Sequence, residues 1–359
     1  YEVAHARAAG LDVIVTDHHT VPNTVPEAVA VVNPRRMYSE YAFRELAGVG
    51  VAYQVARALV ADGPGASRAG QVLEECLDLV ALGTIADVVP LEGENRTLAR
   101  WGLERLRSAP RLGLGRLAEV AGLSLAGLDS ADVAFRLAPR LNAAGRIEHA
   151  RLAYALLTAG DDEQALSYAV ELSRINQERQ RLLEEQLEEA CTAIDEAALP
   201  RLLFVQGPEY HEGVMGLVAS RQREKYYRPA LVLRRGPETS RGSARSVEGF
   251  HITRALEHCR GILARFGGHA QAAGLTVETR LIGELQKQLL EYAEQNLDDA
   301  TLTPHLLVDA IVELADIAFA PGQGRNTPQA IAALGPFGKG NPEPLLASLG
   351  VSVMQARAI

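Results

Sequence analysis

The chain has 359 residues, 47% of them hydrophobic, and a formal net charge of −9. This length suits about two or three domains with a substantial core, and the acidic balance argues against nonspecific nucleic-acid binding over the whole surface, but not against a local basic groove. No apolar run approaches the roughly 18 residues of a membrane span. The three cysteines lack CxxC spacing, which predicts a reducing cytoplasm and no zinc site.

The first 150 residues alternate between helix and strand signals. Helices are predicted at 1–9, 46–60 and 71–82, and strands at 11–16 and 28–32. This alternation favours a doubly wound α/β sheet with a buried first strand. Gly48 and Gly50 would let a backbone approach an anion or would simply allow close packing. Because the chain starts at Tyr1, without Met and inside a helical pattern, we expect it to be cut from a longer protein.

Asp17, His18 and His19 directly follow the first strand. Ligands of open α/β sheets collect at the carboxyl ends of the strands, and a carboxylate with two imidazoles is a compact set of metal ligands. The competing interpretation is a polar turn in which Asp17 caps a nearby group.

Asp87 lies among apolar residues in the stretch 83–90, where an unpaired carboxylate would be costly. A metal ion or an arginine would relieve this cost. The alternative is that Asp87 is the N-cap of a helix.

The segment 136–146 combines three arginines with Asn142 and several small residues. Guanidinium groups match phosphate oxygens bidentately, and small residues allow close backbone approach. An arginine-rich turn without a ligand is the structural alternative.

Residues 161–198 contain no Gly or Pro and predict one helix of about 57 Å that connects two domains. We expect its segment 173–179 to be solvated, with ligand contact as the alternative. A second α/β unit follows, with predicted strands at 201–205 and 229–233 around a helix at 214–226. After residue 297, strands at 306–312 and 345–353 and a helix at 327–334 predict the opening of a barrel that the chain does not complete.

The second α/β unit is locally basic, with twelve Lys or Arg against six Asp or Glu between residues 201 and 268. Such an excess is typical of a groove that follows a phosphate backbone. Candidate contacts are Arg221, Ser243 and Arg245. Gly267, Gly268 and His269 are a further candidate, because paired glycines expose backbone N–H groups that form a nest for a phosphate or a sugar.

Together, these stretches resemble the DHH phosphoesterase superfamily and, within it, the bacterial single-strand-specific exonucleases. The matching segments are VTDHH (15–19), GTIADVVPL (83–91), RLAPRLNAAGR (136–146), HEGVMGLVASR (211–221), GSARS (242–246), GGHAQAAG (267–274) and GPFGKGNPEP (335–344). The resemblance implies a parallel-sheet DHH catalytic domain (1–150), a connecting helix (151–199), a smaller α/β DHH-associated substrate-binding domain (200–300) and the start of an oligonucleotide-binding-fold domain (301–359). Single-stranded DNA would be cut in the cleft between the two α/β domains.

The resemblance also implies two-metal hydrolysis with Mn²⁺ or Mg²⁺, and the imidazole beside a carboxylate favours Mn²⁺. His18 and Asp87 would be metal ligands, with Asp17 among or beside them, and His19 would face the scissile phosphate or the second ion. The DNA-binding residues would be Arg140, Asn142, Arg146, Arg221, Ser243, Arg245, Gly267, Gly268 and His269. Ser243 and Arg245 would suit a terminal 5′-phosphate.

The leading hypothesis is therefore a cytoplasmic, monomeric 5′→3′ exonuclease of DNA repair and recombination, with a helicase and a single-strand-binding protein as candidate partners. An oligoribonuclease or cyclic-dinucleotide phosphodiesterase is one alternative, and a catalytically inactive scaffold is another. The superfamily's earlier motifs, an Asp-x-Asp pair and a further Asp, have no counterpart before Asp17. If the protein begins at Tyr1, we expect weak metal binding and little or no activity.

Overall fold

The computed structural model describes residues 1–22, 24–61, 66–313, 327–352 and 355. The chain forms two compact units. Unit 1 comprises Tyr1–Arg140, Tyr154–Val170 and Leu307–Ile359, and unit 2 comprises Leu141–Ala153 and Glu171–Leu306. The expected α/β class is confirmed, whereas the four-part domain division stays a prediction. Within the described ranges, no helix is long and apolar enough to span a bilayer.

The first half of the chain is mainly helical. Its elements are α1 (Glu2–Ala8), β1 (Ile14–Thr16), β2 (Ala30–Val32), α2 (Gly48–Ala61), α3 (Ala66–Glu75), α4 (Leu77–Ala86), α5 (Gly93–Ser108), α6 (Leu112–Val120), α7 (Ser130–Asp132), α8 (Ala138–Ile147), α9 (Arg151–Leu157) and α10 (Asp162–Thr192). Gly102 lets α5 pack directly on α4, because a Cβ at this position would collide with the Leu77 carbonyl oxygen. Leu46, Val51, Val80 and Leu98 form a buried cluster that joins α2, α4 and α5.

The first two strands pair in parallel, as a doubly wound sheet requires, with Ile14 opposite Ala30 and Thr16 opposite Val32. The predicted burial of the first strand is wrong, because Ile14 is 65% exposed. Each strand has only three residues and one partner strand in the described part of the chain, so the pair covers little of its own apolar surface.

Unit 2 is built around a five-stranded sheet. Its remaining elements are β3 (Leu203–Gly207), α11 (Met215–Tyr226), β4 (Ala230–Arg234), β5 (Thr239–Arg245), α12 (Ile252–His258), β6 (Leu263–His269), β7 (Ala272–Glu278) and α13 (Ile282–Asn296). The strand order is β3-β4-β5-β7-β6, parallel between β3 and β4 and antiparallel elsewhere. The strand–helix–strand order predicted for residues 201–233 is therefore confirmed.

Helices cover both faces of this sheet, so the interior strand β4 is buried on both sides. In β4, Ala230 and Val232 pack with residues of α10 and α11. Leu231 and Leu233 point to the opposite face and pack with residues of α12 and α13. The run of apolar residues in β4 is thus the pattern expected of a strand buried on both sides.

Two predicted helices differ from the observed ones. The helix predicted at 71–82 is divided at Cys76, whose N–H bonds the carbonyls of both Val72 and Leu73, into α3 and α4. The long helix is present but ends at Thr192, so its 31 residues span about 46 Å. A tightened last turn ends it, with the Ile194 N–H bonded to the Cys191 carbonyl.

The expected opening of a barrel is not confirmed. The described residues after 306 contain β8 (Ala310–Ile311), α14 (Thr327–Ala332) and β9 (Leu346–Ala347), and residues 353, 354 and 356–359 lie outside the described residues. Backbone carbonyls of the segment 335–341 accept hydrogen bonds from other parts of unit 1. The Leu91 N–H donates to the Lys339 carbonyl at 2.6 Å, and the Ser130 hydroxyl donates to the Phe337 carbonyl at 2.7 Å.

Candidate metal site and nucleic-acid interface

The Asp17 carboxylate organises the turn that follows β1. Its Oδ1 accepts hydrogen bonds from the backbone N–H groups of His18 (2.8 Å) and His19 (3.2 Å) and lies 2.7 Å from His19 Nδ1. Asp17 therefore caps its own turn, as the structural alternative predicted. Within the described residues, its Oδ2 has no hydrogen-bond partner, so this atom can also serve as a ligand.

These contacts lower the pKa of Asp17. Burial alone would raise the pKa of the carboxyl, but hydrogen bonds from the His19 side chain and from the backbone N–H groups of His19 and His18 outweigh it. The pKa of Asp17 therefore lies below its ordinary value, and the carboxylate is ionised at neutral pH.

Asp87 lies next to His18, although about 70 residues separate them in the sequence. His18 Nδ1 is 3.5 Å from Asp87 Oδ2, and the His18 side chain is 16% exposed. Asp87 follows the last residue of α4, and its N–H bonds the Gly83 carbonyl. The N-cap interpretation is therefore wrong, because Asp87 lies at the C-terminal end of a helix. Its side chain is 41% exposed, which lowers the cost of its charge.

Sequence reasoning missed Asn33, which holds the turn from the neighbouring strand. Asn33 is 7% exposed, and its Nδ2 donates to the His19 carbonyl at 3.0 Å while its Oδ1 accepts from the Arg35 N–H at 2.9 Å. Its position at the end of the second parallel strand was the available signal, since parallel strands end at the same sheet edge.

Two glycines bring helices close to this turn. A Cβ on Gly48 would lie 3.3 Å from His18 Cδ2, so the first residue of α2 packs against the imidazole. A Cβ on Gly83 would lie 2.8 Å from Val49 Cγ1, so α4 packs tightly on α2. Gly50 faces Leu46 in the same way. Of the two interpretations of Gly48 and Gly50, close packing is confirmed.

The side chains of His18, Asp87 and Asp17 fit part of a metal site. Ligands of one ion at about 2.1 Å lie roughly 3 to 3.5 Å from one another, and the His18–Asp87 separation of 3.5 Å agrees with this. The rings of His18 and His19 are 4.5 Å apart, so His19 belongs to the same surface. The described residues contain no group of three or more His, Cys, Asp or Glu side chains arranged around one point.

The arginine-rich segment 136–146 is helical, so the turn interpretation is wrong. A π-helical turn over Val133–Leu137 precedes α8, and Pro139, which lacks an N–H, follows that wider turn. Arg140 donates to the Arg136 carbonyl at 2.6 Å, and burial followed by the charge of Arg136 lowers its pKa. Asn142 is exposed.

In unit 2, two glycines bring Arg146, Ser243 and Arg245 to the start of α11. A Cβ on Gly213 would collide with the Arg146 carbonyl oxygen, and Arg146 Nη1 donates to the Gly213 carbonyl at 3.2 Å. A Cβ on Gly216 would lie 3.0 Å from both Arg245 Nη2 and Ser243 Oγ. In the segment 211–221, the backbone at Gly213 therefore lies against Arg146, and the backbone at Gly216 lies against Ser243 and Arg245.

The sheet register aligns the other candidates with this group. Arg245 and His269 both lie opposite Ala272, on either side of it. Ser243 and Gly267 both lie opposite Gly274. Directly paired residues of antiparallel strands point to the same face of a sheet. Ser243 and Arg245 therefore share a face with His269, and only the small residues of β7 lie between them.

Gly267 and Gly268 lie in strand β6, and they do not form the predicted nest. A nest requires successive turn conformations, whereas these glycines pair with Gly274 and Ala273 in an antiparallel ladder. Gly268 has φ 153°, and a Cβ there would collide with the Ala272 carbonyl oxygen. The two glycines are thus required by the close approach of β6 and β7. At the end of β6, the His269 carbonyl accepts a hydrogen bond from Thr253 Oγ1 at 2.8 Å.

The arginines of this surface differ in their environment. Arg245 donates to Ser243 Oγ at 3.1 Å and to the Ala244 carbonyl at 2.8 Å. Burial and then the charge of Arg146 and Arg223 lower the pKa of Arg245, and burial lowers that of Arg146, but guanidinium groups stay charged at neutral pH. Arg221 is exposed and ion-paired with Glu224 at 3.0 Å.

Comparisons with known proteins agree with these two regions. The DHH family N-terminal domain matches residues 1–84, and the DHHA1 domain matches residues 200–297. The chain is similar to the single-stranded-DNA-specific exonuclease RecJ of Bacillus subtilis strain 168, with 40% identity over 347 residues. That match covers 96% of this chain and 42% of the Bacillus protein, so the chain spans less than half of that relative.

Two solved structures are similar over most of the chain. The structure of RecJ from Thermus thermophilus in complex with Mn²⁺ matches with a TM-score of 0.81 and 33% identity, over 96% of this chain and 50% of that one. A structure of exonuclease RecJ bound to manganese matches with a TM-score of 0.68 and 35% identity, over 83% of this chain and 73% of that one.

Proposed function

The chain belongs to the RecJ family of DHH proteins, and we propose that it hydrolyses phosphodiester bonds of single-stranded DNA from the 5′ end with Mn²⁺ or Mg²⁺. The observation that carries this proposal is the 3.5 Å approach of His18 Nδ1 to Asp87 Oδ2 beside the Asp17 turn. A scaffold has no physical need for this pair of ligands. The names of the relatives favour a single-stranded-DNA exonuclease over the oligonucleotide and cyclic-dinucleotide alternatives.

The roles of the unit 1 residues follow from their contacts. His18, Asp87 and Asp17 would hold the metal ions, which when bound polarise the phosphate and supply a water nucleophile near neutral pH. Hydrogen bonds from the His18 and His19 backbone N–H groups and the contact with His19 Nδ1 favour the ionised form of Asp17, and they fix the position of His19, which would face the scissile phosphate. Asn33 supports that orientation through the His19 carbonyl.

The unit 2 residues would bind the DNA backbone. Ser243 and Arg245 share a hydrogen bond and suit a terminal 5′-phosphate, because a hydroxyl and a guanidinium fork both donate to phosphate oxygens. An anchored 5′ end would also explain a 5′→3′ direction. Further contacts along the strand would come from Asn142, Arg146, Arg221 and His269. Arg140, the last residue of the first segment of unit 1, is a further candidate.

The biological setting is also a proposal. We place the protein in DNA repair and recombination, acting as a monomer with a helicase and a single-strand-binding protein. The three cysteines are free thiols, which fits a reducing cytoplasm.

Metal binding and substrate range test the function in the full-length protein. We expect His18→Ala to weaken Mn²⁺ binding at least tenfold in a calorimetric titration and to abolish release of nucleotides from a long 5′-phosphorylated strand. His305→Ala, an exposed histidine of unit 2, is the matched control and should change neither. Unchanged Mn²⁺ affinity in His18→Ala would favour the scaffold, and activity confined to di- to pentanucleotides would favour the oligonucleotide phosphodiesterase.

A further inference from the structure

Arg179 on α10 is held in a fixed orientation by a buried amide. Its Nε donates to Asn176 Oδ1 at 3.2 Å, three residues earlier on the same helix. Asn176 is only 3% exposed, so its side chain has little freedom. A half-buried arginine loses rotamer entropy when the protein folds. Because Arg179 is already ordered, binding a ligand costs little further side-chain entropy.

The position of Arg179 on α10 brings it to the arginines at the start of α11. Leu182 and Leu183, one turn further along, pack in the core cluster that contains Ile147 and Val214. Arg174 on the same helix ion-pairs with Glu148 at 3.2 Å, and Gln186 accepts a hydrogen bond from the His211 N–H at 3.2 Å. Arg179 lies between these two contacts along α10, beside the segments that carry Arg146 and Gly213. Burial lowers the pKa of Arg179, and the nearby charges of Arg146 and then Arg221 lower it further.

Three arginines near the start of α11 have no carboxylate partner among the described residues. In the part of the chain that the structure describes, Arg146, Arg179 and Arg245 form no ion pair, and their recorded partners are carbonyl, amide and hydroxyl oxygens. Arg181, two residues further along α10, is paired with both Glu178 and Glu185 at 2.6 Å. Neighbouring cations that are partly desolvated repel one another more strongly than they would in water, so an anion bound among them would relieve a real cost.

We propose that Arg179 is a further substrate-binding residue, which joins Arg146 and Arg245 in a three-arginine site for a phosphate monoester at the strand end. Asn176 is its positioning residue. This inference rests on the proposed function and adds a reason for end recognition. A terminal phosphate carries a charge of about −1.5 to −2 at pH 7, whereas each internal phosphodiester carries one negative charge, so three guanidiniums favour the terminus.

Binding without cleavage tests the proposal. Fluorescence anisotropy with the full-length protein in EDTA would compare one labelled oligonucleotide with a 5′-phosphate and with a 5′-hydroxyl. We expect the wild-type protein to prefer the phosphorylated strand and Arg179→Gln to reduce that preference at least tenfold. Arg179→Lys keeps the charge but loses the bidentate fork, and it should retain part of the preference. Because the readout is a ratio within one variant, partial misfolding affects both strands alike.

Two further variants separate positioning from general charge. Asn176→Ala should reduce the preference about threefold to fivefold, as expected from the loss of one orienting hydrogen bond. Arg181→Gln removes the same charge from the same helix and should leave the preference unchanged. Equal wild-type affinity for the two strands, or an unchanged preference in Arg179→Gln, would overturn the inference. A wild-type protein that binds neither strand would instead contradict the proposed function.

Discussion

Two polar clusters of the molecule are assembled by different means. One is the DHH turn of unit 1 (Asp17–His19), and the other is the arginine surface of unit 2 (Arg146, Arg179 and Arg245). In unit 1, Asp17, His18 and His19 are consecutive, and the first of them hydrogen-bonds the other two. In unit 2, Arg146 and Arg245 come from distant segments and meet where glycines let the backbone of the α11 region approach them. Asp17, His18 and His19 are thus grouped by the chain itself and by side-chain hydrogen bonds, with glycine packing only around them, whereas the arginines are brought together by packing that leaves no room for a Cβ.

The largest expected effect is that of Gly213→Ala, because the new Cβ would collide with the Arg146 carbonyl oxygen, which cannot move without its helix. We expect a loss of roughly 3 kcal/mol in the free energy of unfolding of unit 2. Urea denaturation, followed by far-UV circular dichroism, measures this loss. Binding of single-stranded DNA by the folded fraction should also weaken, since Arg146 is displaced.

Gly267→Ala is the matched control, since a Cβ on Gly267 meets no atom within 4 Å. We expect it to change the free energy of unfolding by less than about 0.5 kcal/mol. If the two substitutions had equal effects, close backbone approach would not be what assembles the arginine surface.

Asn33→Ala probes the opposite case, in which hydrogen bonds hold the turn. The substitution leaves the His19 carbonyl and the Arg35 N–H without their partners in a nearly buried position. We expect unit 1 to lose about 2 kcal/mol of stability and the affinity for Mn²⁺ to fall. Asn296→Ala is the control, because Asn296 is exposed and donates one hydrogen bond to the Tyr292 carbonyl. A thermal unfolding curve that shifts equally for both variants would show that Asn33 has no special role.

This contrast also explains which features could be predicted from the sequence. Strand β4 and helix α11 follow from apolar patterning, and Asp17, His18 and His19 are adjacent and recognisable as one motif. Asp87 could be singled out as a carboxylate, but not its place at the end of α4, because the apolar stretch around it reads as strand or helix alike.

The dispersed residues were harder to place. Arg179 looks like any solvated residue of a charged helix, and only the burial of Asn176 and the packing of Leu182 distinguish it from Arg181. The exposure of β1 was also out of reach, since the run Val13-Ile14-Val15 is as apolar as a buried strand. Whether a short apolar strand or a charged helical residue is buried depends on contacts with distant segments, and the hydrophobic pattern does not contain that information.

The smallest expected effect concerns Val88, the residue after Asp87. Val88 has φ 57°, a left-handed conformation that is costly for a β-branched residue. Val88→Gly should relieve about 1–2 kcal/mol of strain against about 0.5–1 kcal/mol of lost chain entropy, and little burial is lost because Val88 is 61% exposed. We therefore expect a net gain of up to about 1 kcal/mol in unfolding experiments, with Mn²⁺ affinity unchanged. Val170→Gly, at a half-exposed valine inside α10, should instead lose about 0.5 kcal/mol. A loss at both positions would mean that the conformation after Asp87 costs unit 1 nothing.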